Sequence, residues 1–265
     1  MCYSNKKEDR RHRMLEKIES TQNKQVKEWK KLLTRKGRQK QNKYIIEGEH
    51  LVEEAKTYGA SIEHLLIRED KYDDYSYLAT EETLLISKEV ARTLTDAVTN
   101  QGILAIISIK EKKESIPLDK PILLIDEVQD PGNIGTLIRS ADAAGFGGVI
   151  LGKGSADLYN PKTIRSTQGS HFHLAVIHDD LDEWIEAVKT KGYPVYGTAL
   201  DERAVSHRTL DPQESFALIV GNEGRGVNPK LLKKTTDNLY IPIKGKAESL
   251  NVAVAGSILM FSLYQ

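Results

Sequence analysis

The chain has 265 residues with 38 basic and 38 acidic side chains, so its formal net charge is zero. This length allows two ordinary domains with sizeable cores. A single cysteine, Cys2, excludes an internal disulfide and a cysteine-clustered zinc site. The amino-terminal residues lack the apolar core of a secretory signal, and with the cysteine usage this predicts a cytoplasmic protein.

The zero net charge hides a basic amino-terminal region. Residues 1–43 hold 15 Lys and Arg against 5 Asp and Glu, so the remainder carries 23 against 33. Residues 1–14 have few apolar side chains and are predicted to form a disordered tail. In residues 24–43 apolar side chains recur at helical spacing, which predicts an amphipathic helix with a cationic outer face. Such a face suits the phosphate backbone of a nucleic acid, although a merely solvated helix is the alternative. The candidate contacts to nucleic acid are Lys24, Lys27, Arg35 and Arg38.

Residues 15–109 are predicted to form a small α/β domain. Strand-like runs at 44–46, 62–67, 83–86 and 103–107 alternate with helical stretches. The charged, non-periodic residues 110–119 predict a linker, and residues 120–265 a second domain.

In the second domain, three polar loops follow short runs of branched residues. The runs 122–125, 216–220 and 239–241 are typical of buried parallel strands. Ligand sites in open α/β sheets form at the carboxyl ends of such strands. The apolar residues 252–263 predict a buried terminal helix, which is too short and too rich in small residues to span a membrane.

These loops carry motifs that resemble the SpoU family of RNA ribose 2′-O-methyltransferases, in the SPOUT superfamily. Asn133 and Arg139 match the first motif and residues 221–226 the second. Ile241 and Pro242, with residues 249–252, match the third. The order and spacing agree over about the last 145 residues. Residues 47–55 and 94–102 resemble the family's substrate-binding domain, with less diagnostic strings.

The resemblance implies an α/β SPOUT domain with a mostly parallel sheet and a deep trefoil knot, preceded by a small L30e-like α/β substrate-binding domain. It implies S-adenosylmethionine as the cofactor, a ribose 2′-hydroxyl of ribosomal RNA as the acceptor, and a homodimer with the active site beside the subunit interface. No metal and no membrane are implied. The alternatives are a transfer RNA 2′-O-methyltransferase, a base methyltransferase and a non-catalytic RNA-binding ribosome-assembly factor.

The resemblance also assigns roles to residues. A guanidinium is a poor base, so we expect Arg139 to bind the phosphate beside the target ribose and to stabilise the developing alkoxide, with a helix N-terminus converging on the same point. Ser249 and Asn251 are equally suited to cap a helix, and Glu223 to hold a loop amide or Arg139. The expected catalytic residues are Asn133, Arg139, Glu223, Ser249 and Asn251. The expected cofactor contacts are Thr198, Ala199, Leu200, Gly221, Asn222, Ile241 and Leu250, where core packing is an alternative for Ile241 and Leu250.

Two further segments remain open. Residues 157–170 predict a turn and a short helix with Lys162 and Arg165, which forms a wall of the RNA site or contacts a partner subunit. His171 and His173 are predicted to lie on a half-exposed strand and not to bind a metal.

Overall fold

The computed structural model describes residues 15–97, 99–109 and 115–264. The predicted tail at 1–14, with Cys2, and residues 110–114 of the predicted linker lie outside them. The chain divides into two compact units between Ile109 and Lys110. Within the described ranges, no helix is long and apolar enough to cross a membrane.

The first unit is built on a mixed five-stranded sheet. Its strand order is β1-β4-β3-β5-β2, in which β5 is antiparallel to both neighbours and the other pairs are parallel. The four predicted strands are present, whereas β1 pairs through only two residues and was not predicted. The strands are β1 (Lys17–Ile18), β2 (Lys43–Glu47), β3 (Ile62–Arg68), β4 (Thr83–Ile86) and β5 (Ile103–Ser108). The helices are α1 (Lys24–Lys31), α2 (Arg35–Gln41), α3 (Glu49–Thr57), α4 (Tyr72–Tyr75) and α5 (Lys88–Thr93).

The single helix predicted for residues 24–43 is wrong, because the chain breaks between α1 and α2. The Thr34 hydroxyl accepts a hydrogen bond from the Gly37 amide at 3.1 Å and so caps α2. A Cβ at Gly37 would lie 1.9 Å from the Lys31 carbonyl oxygen, so only glycine permits this close approach. The Arg38 guanidinium turns inward and donates to the Leu32 carbonyl at 2.8 Å.

The second unit contains a seven-stranded sheet in which all paired strands run parallel, which confirms the prediction of a mostly parallel sheet. Its strand order is β10-β12-β9-β11-β6-β7-β8. The strands are β6 (Ile122–Ile125), β7 (Gly148–Leu151), β8 (Ala175–His178), β9 (Val195–Thr198), β10 (Val205–Ser206), β11 (Ala217–Val220) and β12 (Asp237–Tyr240). The helices are α6 (Pro131–Ala143), α7 (Pro161–Thr167), α8 (Leu181–Thr190), α9 (Pro229–Leu232) and α10 (Val252–Leu263).

Alternate side chains of the central strands pack into two separate hydrophobic cores, one on each face of the sheet. Leu123 and Leu218 pack with residues of α6 and α10 on one face of the sheet. Leu124 and Ile219 pack with residues of α8 and α9 on the other. This period of two makes the central strands apolar throughout, because both faces are covered by helices. The trefoil knot implied by the resemblance stays a prediction.

Small residues let α6 approach its neighbouring helices. A Cβ at Gly135 would lie 2.4 Å from the Ser166 Cβ and 2.6 Å from the Thr163 carbonyl oxygen of α7. On the other side, the hydroxyls of Ser140 and Ser257 are 2.7 Å apart, which joins α6 to α10. These contacts fix the helix that carries Asn133.

Two local predictions are wrong. Residues 170–172 form a 3-10 turn and β8 begins only at Ala175, so His171 and His173 do not lie on a strand. Helix α10 is buried on one side only, because Val254, Ile258 and Phe261 are 48, 38 and 55 % exposed.

Candidate active site

A cleft of about 550 Å³ lies at the carboxyl ends of β9, β11 and β12. Three connections surround the sheet edge there: motif loop 1 (residues 126–130), motif loop 2 (residues 221–226) and motif loop 3 (residues 241–251). The structure brings together in the cleft lining all seven residues that were expected to contact the cofactor: Thr198, Ala199, Leu200, Gly221, Asn222, Ile241 and Leu250. Glu223, Ser249 and Asn251 also line it.

Sequence reasoning missed part of the lining. Tyr240, Ile243 and Ala255 also line the cleft. Their positions beside the third motif were the available signal, because residues that end a strand or begin the next helix share its edge of the sheet.

Motif loop 2 is held in shape by its own backbone. The Asn222 and Gly226 amides donate to each other's carbonyls at 3.0 and 2.9 Å. The Asn222 side-chain oxygen accepts the Gly224 and Arg225 amides at 3.0 and 3.1 Å. A Cβ at Gly221 would lie 2.2 Å from the Val227 nitrogen, so glycine is required there by the loop itself and not only by a ligand.

A chain of hydrogen bonds joins all three motif loops. The Asn133 side-chain amide donates to Glu223 Oε1 at 3.0 Å, and its oxygen accepts from the Asn251 side-chain amide at 3.0 Å. The Glu223 carboxylate also accepts the Gln129 and Asp130 amides of motif loop 1 at 3.3 and 3.2 Å. Three of the five expected catalytic residues are therefore in direct contact.

The hydrogen bonds of this network stabilise the charged form of Glu223. Partial burial alone raises the pKa of the Glu223 carboxyl. The hydrogen bonds from the Asn133 side chain and from nearby backbone amides outweigh burial, so the pKa lies below its ordinary value. Glu223 is thus an acceptor at neutral pH, which fixes the direction in which the Asn133 amide points.

Asn251 has both of the roles that the sequence left open. Its side-chain oxygen accepts the Ala253 and Val254 amides at 2.9 and 3.3 Å and so caps α10. Its side-chain nitrogen is the donor to Asn133. Ser249 is exposed and makes no hydrogen bond through its side chain within the described part of the chain.

Arg139 is not part of this network. It lies on an exposed face of α6, in the third turn, six residues after Asn133. Six residues advance ~9 Å along an α-helix and end about 120° away around its axis. It does not line the cleft, and it makes no ion pair or hydrogen bond through its side chain to any described residue. The expected convergence of the guanidinium on the helix N-terminus is therefore not found within this chain.

The helix N-terminus is instead occupied by Asp130, which the sequence did not identify. Its side chain caps α6 by accepting the Asn133 amide at 3.0 Å, and it forms an ion pair with Lys162 at 2.7 Å. The Lys162 ammonium, together with the Asn133 and Gly132 amides, holds the pKa of the Asp130 carboxyl below its ordinary value. Lys162, an expected RNA contact, is thus engaged on α6, while Arg165 is half-buried on the same helix α7.

The expected RNA contacts of the first unit fall into two groups. Lys24, Lys27 and Arg35 are exposed on α1 and α2. Arg38 is only 3 % exposed, so its assignment as an RNA contact is wrong in this structure. Its guanidinium donates to the carbonyl of Leu32, the residue that ends α1.

The parallel sheet and the cleft at the carboxyl ends of its strands define an α/β domain with a small-molecule site. Residues 120–261 match the model of the SpoU rRNA Methylase family, and residues 23–105 match the MRM3-like substrate binding domain. The chain belongs to the SpoU rRNA methylase family. The predictions of S-adenosylmethionine as the cofactor and of an RNA ribose 2′-O-methyltransferase are confirmed.

Individual relatives share both units. The 23S rRNA (guanosine(2553)-2′-O)-methyltransferase RlmP of Bacillus subtilis is 46 % identical over 94 % of this chain and 99 % of its own. The AdoMet-bound rRNA methyltransferase from Sinorhizobium meliloti superposes with a TM-score of 0.83 at 28 % identity, over 94 % of this chain and 97 % of that one. The SpoU methyltransferase AviRb from Streptomyces viridochromogenes, in complex with AdoMet, has a TM-score of 0.80 at 26 % identity, over 91 % of this chain and 97 % of that one.

Proposed function

We propose that this protein methylates the 2′-hydroxyl of a guanosine in 23S ribosomal RNA, and that it does so in the cytoplasm. The observation that carries the proposal is the hydrogen-bond chain through Asn133, Glu223 and Asn251 at the rim of the cleft. The choice of a guanosine in 23S RNA rests on the 46 % identity with RlmP.

The cleft fits S-adenosylmethionine. Its volume of about 550 Å³ is in the range of small-molecule pockets, ~300–1,000 Å³. Leu200, Ile241, Ile243 and Leu250 supply apolar walls for the adenine, and the backbone of motif loops 2 and 3 supplies donors and acceptors for its edge. When bound, the cofactor supplies the methyl group from its sulfonium.

Asn133 and Asn251 are suited to orient the acceptor ribose. Their amides are locked against each other and against Glu223, so little reorganisation is needed when the ribose arrives. Ser249, exposed on the lining with no internal partner among the described residues, is free to contact the cofactor or the ribose.

Arg139 is proposed to bind the phosphate beside the target ribose and to stabilise the alkoxide that develops there. Its guanidinium is exposed and has no described ion-pair partner, so it is available for an RNA phosphate. A guanidinium is a poor base with no acceptor atom, so Arg139 acts as a hydrogen-bond donor.

We further propose that the active form is a homodimer, with a second copy packed on α10. Val254, Ile258 and Phe261 recur at i, i+4 and i+7 and leave an apolar stripe exposed on a helix whose other side is buried. The apolar stripe starts in the first turn of α10, directly after its N-cap residue Asn251, so the proposed interface lies next to the site.

RNA is proposed to approach the first unit along α1 and α2. Lys24, Lys27 and Arg35 are exposed there, and phosphate contacts by such side chains give affinity without sequence specificity.

The test is methyl transfer from labelled S-adenosylmethionine to 23S RNA and, separately, to transfer RNA, both from cells that lack this protein, followed by mass analysis of the nucleosides. Wild type and the exposed control Thr190→Ala are expected to produce 2′-O-methylguanosine, and Asn133→Ala to lose most of that activity. Methylation of a base, methylation of transfer RNA alone, or RNA binding without transfer would each overturn the proposal.

A further inference from the structure

Glu127, the second residue after β6, has a left-handed backbone with φ of +53°. This conformation is unfavourable for residues with a Cβ. Among the described residues, the other non-glycine positions with positive φ are Asn42 and Gln168, which end α2 and α7. Helix ends commonly adopt this conformation, whereas Glu127 does not end a helix. Its strain therefore calls for a local explanation.

The hydrogen bonds of Glu127 to side chains join it to motif loop 2. Its carbonyl accepts the Asn222 side-chain amide at 2.9 Å, and its carboxylate lies 3.0 Å from the Arg225 guanidinium. On the other side, a Cβ at Gly154 would lie 3.0 Å from the Glu127 Cγ, so the stem of the side chain rests against a glycine backbone.

Other residues of motif loop 1, on either side of Glu127, also bind motif loop 2 and the residues that follow it. Asp126 accepts the Asn228 amide at 2.7 Å, and the Gln129 and Asp130 amides donate to Glu223. Glu127 lies between these two connections, so the direction of its backbone determines where the two amides for Glu223 point.

We propose that Glu127 is a positioning residue for methyl transfer: with Arg225 and Asn222 it holds motif loop 2 in the form that lines the cofactor cleft and presents Glu223 to Asn133. This inference rests on the proposed function, because motif loop 2 is taken to contact the cofactor. Glu127 itself touches neither the cleft of the cofactor nor the reacting atoms.

The size of the effect follows from exposure. The Arg225 and Glu127 side chains are 75 and 41 % exposed, so their ion pair is a surface pair. Such pairs contribute ~0.2–1 kcal/mol, which corresponds to about a 1.4- to 5-fold change in an equilibrium constant. Because glycine relieves the left-handed strain, Glu127→Gly is expected to weaken the loop contact without lowering the unfolding temperature.

The experiment measures S-adenosylmethionine binding by titration calorimetry, with KM and kcat for methyl transfer and the unfolding temperature of each variant. We expect Glu127→Gly, Glu127→Gln and Arg225→Ala each to raise the dissociation constant about 1.4- to 5-fold. The double variant Glu127→Gln with Arg225→Ala should lose no more than either single one, because both remove the same pair. Exchanging the charges, Glu127→Arg with Arg225→Glu, should restore much of the affinity.

Lys234→Ala, which removes a comparably exposed ion pair with Asp182, is the matched control and should bind the cofactor as wild type does. Wild-type affinity in the Glu127 and Arg225 variants, or losses that add in the double variant, would overturn the positioning role. If wild type binds no S-adenosylmethionine, the proposed function fails instead, so the two failures are distinguishable.

Discussion

Substitutions at Asn251 separate an effect on stability from an effect on catalysis, because its side-chain oxygen and nitrogen make different hydrogen bonds. The oxygen caps α10, while the nitrogen donates to Asn133. Asn251→Asp keeps an acceptor for the cap but puts a carboxylate oxygen where Asn133 needs a donor. Asn251→Ala removes both contacts.

The expected magnitudes differ accordingly. Loss of an N-cap costs ~1 kcal/mol, so Asn251→Ala should lower the unfolding temperature by roughly 2–4 °C for a chain of this size. In Asn251→Asp the cap remains, and a negative charge at a helix N-terminus adds about 0.3–1 kcal/mol. The Asn251–Asn133 hydrogen bond is exposed in the free protein, so its loss should cost little stability. If bound RNA and cofactor exclude water from it in the transition state, leaving the Asn133 oxygen without its donor costs ~1–3 kcal/mol, which corresponds to about a 5- to 150-fold loss in kcat.

The assay pairs thermal unfolding with single-turnover methyl transfer to 23S RNA. We expect Asn251→Asp to be as stable as wild type but slow, and Asn251→Ala to be both less stable and slow. Full activity in Asn251→Asp would refute the orienting role of the nitrogen. A loss of stability in Asn251→Asp equal to that in Asn251→Ala would refute the cap.

The remaining predictions concern other contacts. The pKa of Glu223 is lowered, so its stabilising contribution should be complete above the ordinary value of 4.5 and should disappear as the pH falls through the lowered pKa. The difference in stability between wild type and Glu223→Gln, measured by thermal unfolding, should therefore shrink between pH 7 and pH 3. Gly135→Ala should destabilise the chain by ~1–3 kcal/mol through overpacking, measured by denaturant unfolding, whereas Gly245→Ala, with no atom within 4 Å of the added Cβ, should be nearly neutral. Arg35→Ala should weaken RNA binding and reduce its salt dependence by about one phosphate contact, whereas Arg38→Ala should mainly lower stability. Equal RNA-binding losses in both variants would contradict that distinction.

The strands and the cleft could be predicted because their signals are local. Runs such as 122–125 and 216–220 are apolar at every position, since both faces of the parallel sheet are covered. The motifs then assign residues to loops at one edge of that sheet, and the seven expected cofactor contacts do line one cleft. The two-residue strand β1 has no comparable signal, because its pairing with β4 depends on residues far along the chain.

The polar partners of basic side chains could not be predicted, because tertiary contacts set them. Arg38 follows the same basic pattern as Arg35, and only the approach of α2 to α1 at Gly37 turns it inward. Lys162 was expected to lie on a wall of the RNA site or at a subunit contact, and the sequence did not indicate its ion pair with Asp130 at the start of α6. Charge spacing along a helix shows which face is polar, and it cannot show which polar groups are already paired.

The hydrogen-bond chain at the rim of the cleft gives the site a property that its single residues lack. Asn133 can place its oxygen toward Asn251 and its nitrogen toward Glu223 in only one orientation of its amide, because Glu223 is charged and accepts while the Asn251 oxygen is already occupied by the α10 amides. The orientation is therefore fixed by the helix cap on one side and by motif loop 1 on the other. It follows that a change at the α10 cap should alter kcat through the orientation of Asn133, whereas a change in motif loop 1 should act on both Asn133 and motif loop 2 through Glu223.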